Sequence, residues 1–164
     1  RYSKLTQSCE ISYWNHCMAL YNLKDTLNVE LYHLDSSEFL KEIKITDESV
    51  LFLDAHGGSY DDWNDNPLTK ELNVIKEKGI KPIIYIHDFA VPADEGDVDL
   101  FTDDSFDIDY KYPFDYNSEN GWKLDWDFIK EQVKEIYNNE YSLSFPQDYP
   151  SRWKEAGWIR IEKK

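Results

Sequence analysis

The sequence has 164 residues, of which 41% are hydrophobic and 16% aromatic, and it carries 33 acidic against 18 basic side chains. This is the length of one domain with enough apolar material for a buried core, which excludes a chain that is disordered throughout. The formal net charge of −15 repels phosphate groups, so nucleic acids and anionic membranes are excluded as expected partners.

The first third of the chain predicts one helix followed by two strands. Residues 13–23 carry aromatic and apolar side chains at helical spacing, which predicts a helix. Residues 28–34 and 49–53 are short apolar runs bounded by polar residues. Such runs are typical of strands buried in a parallel sheet.

The middle of the chain predicts a second helix and a third strand. Asn66 and Pro67 mark the start of the helix, because proline is favoured in a first helical turn, and Gly79 marks its end. Residues 81–86 are the next apolar run and predict the next strand.

The last third predicts a long loop, a helix and a strand. Residues 91–121 are rich in Asp, Tyr, Phe and Gly and lack periodicity, so we interpret them as a lid or rim over a site. Asp125 is expected to cap a third helix, and residues 158–161 predict the last strand. The alternation of strands and helices predicts one α/β domain over residues 1–164, with a doubly wound and mostly parallel sheet.

The cysteines and the hydropathy pattern indicate the cellular compartment in which the protein is expected. Cys9 and Cys17 have no metal-binding or redox spacing and are weak support for a disulfide, so we expect a reducing, cytoplasmic compartment. No apolar run approaches the roughly 20 residues that span a bilayer, and no signal peptide is recognised. Because the chain begins with Arg1, we expect either processing or a longer parent sequence.

Polar residues stand directly after the predicted strands, where ligands bind in open α/β sheets. Asp35 and Ser36 follow one strand, and Asp54 and His56 follow the next, before a pair of glycines suited to a tight turn. The pair His87 and Asp88 follows the strand at residues 81–86. If the second and third strands are neighbours, Asp54, His56, His87 and Asp88 converge.

Such a cluster has two chemical uses and one structural one. Oxygen ligands from Asp54 and Asp88 suit Mg²⁺, and added imidazoles shift the preference towards Mn²⁺, Fe²⁺ or Zn²⁺. An aspartate could instead orient a histidine that acts as a general base near neutral pH. The structural alternative is that the aspartates cap turns and the histidines lie hydrogen-bonded at the rim.

The remaining polar and aromatic candidates give weaker support for a catalytic or metal site. The acidic run at residues 60–65 lacks the ligand spacing of an EF-hand and is interpreted as a solvated loop. His16 and His33 fall in helix and strand patterns, which favours structural roles. Trp63 and Trp122 lie in predicted loops, where they could stack on a planar ligand.

Most of the chain resembles one known family. The resemblance is carried by VLFLDAHGGSY, by NPLTKELNVIKEKGIKPIIYIHDFAVP and by LDWDFIKEQVKEIY, with SCEISYWNHCMALYNL and NVELYHLDSSEFL upstream. These stretches, within residues 8–161, are similar to S-adenosylmethionine-dependent methyltransferases, in particular to Mg²⁺-dependent sugar and macrolide O-methyltransferases typified by macrocin O-methyltransferase. The resemblance implies a Rossmann-like class I methyltransferase fold.

The resemblance also implies residues that bind S-adenosylmethionine. Glu10, at the end of a short strand, matches the acidic residue that binds the ribose hydroxyls of the cofactor. Asp35 and Ser36 match the pair near its adenine.

For catalysis, the resemblance implies a divalent metal, Mg²⁺ above all, held by Asp54, His87 and Asp88. Asp54 matches a carboxylate shared between metal binding and catalysis, and His87 stands where the family has an acid. His56 and His87 are the candidate bases for the acceptor hydroxyl.

The family also has a first strand, between its second and fourth strands, with a glycine-rich turn that approaches the cofactor. Neither precedes Glu10 in this sequence. Because loss of a central strand exposes two rows of backbone groups, we expect the sequence to be N-terminally truncated, or the gap to be filled by residues 1–8 or by a partner.

The leading hypothesis is therefore an S-adenosylmethionine-dependent O-methyltransferase, metal-assisted, that acts on a hydroxyl of a small molecule or sugar and forms a homodimer. One alternative is a metal-dependent hydrolase of another α/β family, for which four histidines are few. The other is a degenerate, non-catalytic methyltransferase fold or binding domain.

Overall fold

The computed structural model describes residues 4–55, 66–89, 126–145 and 157–164, with only the backbone at residues 88 and 157. The chain forms two compact units, Arg1–Lys44 and Ile45–Lys164. In chain order the elements are β1 (Thr6–Cys9), α1 (Tyr13–Leu23), β2 (Val29–Tyr32), α2 (Ser36–Glu42), β3 (Val50–Leu53), α3 (Pro67–Lys78), β4 (Ile83–Phe89), α4 (Trp126–Tyr137), β5 (Tyr141–Ser144) and β6 (Gly157–Lys163).

The first unit is built on a parallel strand pair. β1 and β2 run in parallel with Thr6 opposite Val29 and Cys9 opposite Tyr32. Each strand leads into a helix whose first turn is capped by a polar side chain: Ser12 accepts from the Asn15 N–H, and Asp35 accepts from the Ser37 N–H. The unit thus repeats a strand–helix order that brings the carboxyl ends of both strands to one edge.

Helix α1 is apolar and uncharged but has no buried residue. Its side chains and their neighbours account for most of the large hydrophobic residues that the described part of the chain exposes. Those of this region are Ile11, Tyr13, Trp14, Met18, Leu20, Tyr21 and Leu23.

The second unit contains a four-stranded mixed sheet in the order β3-β4-β6-β5. β3 and β4 are parallel, with Leu53 opposite Ile86. β6 runs antiparallel to both of its neighbours, β4 and β5.

One face of this sheet forms the core with α3 and α4. Alternate residues of the central strands are almost fully buried, as the period of two in a strand requires. On the helices, buried residues recur every three or four positions. The core residues include Leu51, Leu53, Ile84, Ile86, Ile159 and Ile161 from the strands and Leu68, Leu72, Ile75, Ile129, Val133 and Ile136 from the helices.

The sequence patterns predict most of these elements. The helix at residues 13–23 has the predicted bounds, and all four predicted strands are present, with β4 and β6 longer than expected. α3 starts at Asn66 and Pro67 and ends at Gly79, as predicted; the structure adds that the Asn66 side chain caps it and that Gly79 is left-handed at φ 65°. The expected Asp125 cap and the loop at residues 91–121 lie outside the described residues.

The prediction of a mostly parallel sheet is confirmed in part, since two strand pairs are parallel and the two pairs that involve β6 are antiparallel. β6 is antiparallel because β5, which the sequence pattern does not predict, precedes it and pairs with it. Asn138 and Asn139, both with positive φ, turn the chain from α4 into β5. The seven-residue helix α2 is also not predicted, since it is too short to show a helical period.

Candidate functional site

A carboxylate and an imidazole meet at the carboxyl ends of β3 and β4. Because Leu53 lies opposite Ile86 in parallel strands, the next residues, Asp54 and His87, are neighbours. The His87 Nδ1 lies 3.1 Å from the Asp54 Oδ1. The predicted convergence at these two strand ends is confirmed for this pair.

The pair is partly open to solvent, with the His87 side chain 24% and the Asp54 side chain 47% exposed. Because a carboxylate only accepts hydrogen bonds, the Nδ1 of His87 is the donor. The carboxylate therefore fixes the tautomer and the orientation of the ring. This is the arrangement in which a histidine serves as a general base and its aspartate stabilises the imidazolium that forms.

An aromatic cluster adjoins the pair on the same sheet. Trp158 stands opposite His87 in the β4–β6 register, and the two ring centroids are 4.3 Å apart. Phe52 of β3 lies 4.7 Å from Trp158, with the rings tilted by 46°. We call Phe52, His87 and Trp158 the aromatic cluster.

The sequence does not single out Phe52 or Trp158, because their proximity depends on the antiparallel register of β6. Trp63 and Trp122, the predicted stacking residues, lie outside the described residues. The only local signal was the alternation of β3, which puts Phe52 on the face opposite the buried Leu51 and Leu53.

The predicted metal site finds no support in the structure. His56 and the side chain of Asp88 lie outside the described residues. Within the described ranges, no three His, Cys, Asp or Glu side chains are grouped so that they could hold a metal ion. Asp54 and His87 supply one carboxylate and one imidazole, whereas Mg²⁺ prefers several oxygen ligands, so the described donors do not fit this ion.

The predicted cofactor residues lie at the carboxyl ends of β1 and β2. Glu10 continues the parallel ladder, since its N–H donates to the Tyr32 carbonyl at 3.0 Å. Its Oε1 accepts from the Ser12 N–H at 2.7 Å. This bond holds the carboxylate at the start of α1.

Asp35 and Ser36 begin helix α2. The Oδ1 of Asp35 accepts from the N–H and the hydroxyl of Ser37 at 2.9 Å and 2.6 Å. Ser36 is half-buried at the first helical position. The structural role of Asp35 as a cap is thus established, and its role towards a cofactor stays a prediction.

The histidines of the first unit are held by local contacts. The Nε2 of His33 lies 3.0 Å from the Ile11 carbonyl. The His33 ring stacks on His16 at 5.4 Å and meets Tyr13 edge-on at 5.6 Å. A hydrogen bond with Cys17 raises the pKa of Tyr13. The contacts of His33 agree with the structural role that the sequence pattern favours.

Comparison with known proteins gives the fold. No protein-family model and no curated protein sequence matches this chain. Among solved structures, the chain is similar to "Putative methyltransferase yhhF" from Escherichia coli, with a TM-score of 0.50 and 13% identity over 99% of this chain. It is also similar to SMU.1697c, a "putative methyltransferase" from Streptococcus mutans in complex with SAH, with a TM-score of 0.52 and 11% identity over 98% of this chain. The chain has a methyltransferase-like α/β fold.

The match is to part of the larger proteins. This chain spans 65% of the Escherichia coli protein and 77% of the Streptococcus mutans protein. Within the described residues, no helix is both long enough and apolar enough to cross a membrane.

Proposed function

We propose that this chain is an S-adenosylmethionine-dependent O-methyltransferase domain that acts on a hydroxyl of a small molecule or sugar. The fold supports this proposal, since one protein of the same fold holds SAH. The observation that carries it is the 3.1 Å bond between Asp54 and His87 at neighbouring parallel strand ends. This is where open α/β sheets bind ligands.

In the proposed reaction, His87 accepts the proton of the acceptor hydroxyl as that oxygen attacks. Asp54 keeps the Nδ1 of His87 protonated and stabilises the positive charge that the ring gains. The cofactor supplies an electrophilic methyl group, whose bond to sulfur breaks as its bond to the acceptor oxygen forms. The protein's own contribution is to position the reactants and to take the proton.

The proposed cofactor residues all lie in the first unit. Glu10 is the acceptor for the ribose hydroxyls, since its carboxylate is held in place by the Ser12 N–H. Asp35 and Ser36 stand at the end of the next parallel strand and are proposed to lie near the adenine. A carboxylate suits a ribose diol because it accepts from both hydroxyls.

Metal assistance by Asp54, His87 and Asp88 is a separate proposal, on which the reaction described above does not depend. The described residues bring two of these side chains together, and one oxygen of Asp54 is already bonded to His87. No step above is routed through a metal. Activity measured with Mg²⁺ and with a chelator tests this part separately.

Transfer of a labelled methyl group tests the base pair. His87→Ala and Asp54→Asn are expected to lower the transfer rate by about 10²- to 10⁴-fold, the usual share of general base catalysis. Both variants should still bind S-adenosylhomocysteine, because neither residue is a proposed cofactor contact. Asp127→Asn is the matched control, since this aspartate is 73% exposed and paired with Lys130 on α4. An unchanged transfer rate in both site variants would refute the role of His87 as the general base.

A domain that binds S-adenosylhomocysteine but transfers no methyl group to any hydroxyl acceptor would support the non-catalytic alternative. The metal-dependent hydrolase alternative predicts bound metal and no binding of the adenosyl compound. Calorimetry with each ligand separates the hydrolase from the two adenosyl-binding alternatives, and the transfer assay separates those two from each other.

A further inference from the structure

The face of the second unit's sheet that lies opposite its core carries aromatic side chains. Val50 and Phe52 of β3 are 61% and 55% exposed, whereas Leu51 and Leu53 between and after them are buried. Phe52 stands opposite Tyr85, and Trp158 opposite His87, so these rings project from the same face. Arg160 lies over the Tyr85 ring at 5.8 Å.

We propose that the aromatic cluster of Phe52, His87 and Trp158 binds the methyl acceptor, and that the acceptor is a flat aromatic compound bearing a hydroxyl group. This inference rests on the proposed function, and it narrows the substrate class of the same site. It selects phenols over aliphatic alcohols and sugars.

The position of the cluster supports this assignment. The His87 ring contacts Trp158 at 4.3 Å and bonds to Asp54 at 3.1 Å, so the base belongs to the aromatic surface itself. A planar ring laid against Phe52 and Trp158 therefore brings its edge substituents to the imidazole. Offset and tilted ring pairs with centroids about 4.5–7 Å apart are the favoured geometry for such contacts.

The chemistry of the base favours the same acceptor. A phenolic hydroxyl has a pKa of about 10, whereas that of water, which resembles an aliphatic alcohol, is about 15.7. Because imidazole is a weak base, it takes a proton from a phenol at a much lower cost in free energy than from an aliphatic alcohol. The net charge of −15 also disfavours acceptors that carry phosphate or carboxylate groups.

Binding of a matched ligand pair tests the inference. The probes are 2-naphthol and its saturated counterpart decahydro-2-naphthol, titrated into the whole chain by NMR. We expect the wild-type chain to bind 2-naphthol more tightly. Phe52→Leu, which keeps an apolar side chain on the strand, should weaken 2-naphthol binding by about two- to tenfold, the usual worth of a ring contact. It should leave decahydro-2-naphthol binding unchanged.

Val50→Leu is the control, because Val50 is exposed on the same strand and face but carries no aromatic ring. The comparison of 2-naphthol with decahydro-2-naphthol is made on the wild-type chain, so it still tests the inference if Phe52→Leu fails to fold. Equal binding of the two probes, with S-adenosylhomocysteine still bound, would overturn the inference and leave the proposed function standing.

Two other results overturn it in distinguishable ways. Selective, Phe52-dependent binding of 2-naphthol without any S-adenosylhomocysteine binding would contradict the proposed function, and the acceptor role would fall with it. Binding of 2-naphthol that weakens as the protein concentration rises would show that a second copy covers this face.

Discussion

Tyr137, the last residue of α4, forms hydrogen bonds with the residues that precede β4. It is fully buried, its hydroxyl donates to the Pro82 carbonyl, and its own carbonyl accepts from the Lys81 Nζ at 3.3 Å. Burial raises the pKa of Tyr137 well above the usual value, and the carboxylates of Glu162 and Asp47 raise it further. The neutral phenol is therefore strongly favoured in the folded chain.

We predict that Tyr137→Phe lowers the free energy of unfolding by about 1–3 kcal/mol, because the Pro82 carbonyl loses its buried donor. In the wild-type chain the folded pKa lies above the unfolded one. The stabilisation by Tyr137 is therefore complete below pH of about 10 and is lost as the pH rises from there towards the folded pKa.

Urea unfolding at pH 7 and along a series up to pH 11 measures both effects. Tyr137→Phe should lack this part of the alkaline loss, so the two curves approach each other at high pH. Tyr21→Phe is the control, since Tyr21 is 68% exposed. A constant gap between the wild type and Tyr137→Phe across the series would contradict the account.

The contact between Asp54 and His87 was predictable from the sequence, because each residue directly follows an apolar run that predicts a strand. It does not reach Phe52 and Trp158, whose rings meet only through the β4–β6 pairing. That pairing joins residues about 70 positions apart in the chain, as His87 and Trp158 illustrate, and no local pattern encodes it.

At the scale of elements, α3 is the helix with the clearest signals at both ends. The Asn66 side chain accepts from the Leu68 N–H at 2.9 Å, Pro67 occupies the first turn, and Gly79 closes the helix at φ 65°. All three signals are local in sequence, which is why the bounds of this helix were predictable.

We predict that Asn66→Ala costs about 0.5–2 kcal/mol of unfolding free energy, whereas Asn66→Asp retains most of the cap. Asn66 is 7% exposed, so its loss also leaves a buried N–H without its acceptor. Ser12→Ala is the matched comparison, because its cap bond to the Asn15 N–H is long, at 3.5 Å, and exposed. Urea midpoints that shift equally in Asn66→Ala and Ser12→Ala would refute this ranking.

The strands show where local signals end. β3 and β4 were predictable as parallel strands because both are short apolar runs with a helix between them, and the structure shows that they are neighbours. β5 has the sequence YSLS, in which only alternate residues are apolar, and its four residues are too few to show a clear pattern. Because the sequence pattern does not predict β5, it gives no sign that β6 pairs with it in the antiparallel direction.

At the scale of the whole molecule, the fold and the charge limit what the chain can bind. Its similarity to two larger methyltransferase-fold proteins extends over nearly all of its length. The chain carries a net charge of −15, but α1 contains no Asp, Glu, Lys or Arg and exposes its apolar side chains. Formation of a homodimer and the extent of a single domain over residues 1–164 stay predictions.

The central claim is that this chain binds the methyl donor, and calorimetric titration of S-adenosylhomocysteine into the 164-residue chain tests it most directly. We predict saturable binding both with Mg²⁺ and with a chelator, because the proposed metal would contact the acceptor oxygen. Glu10→Gln should weaken binding, whereas Glu48→Gln, at an exposed position, should not. No binding to the folded wild-type chain in either condition would contradict the account.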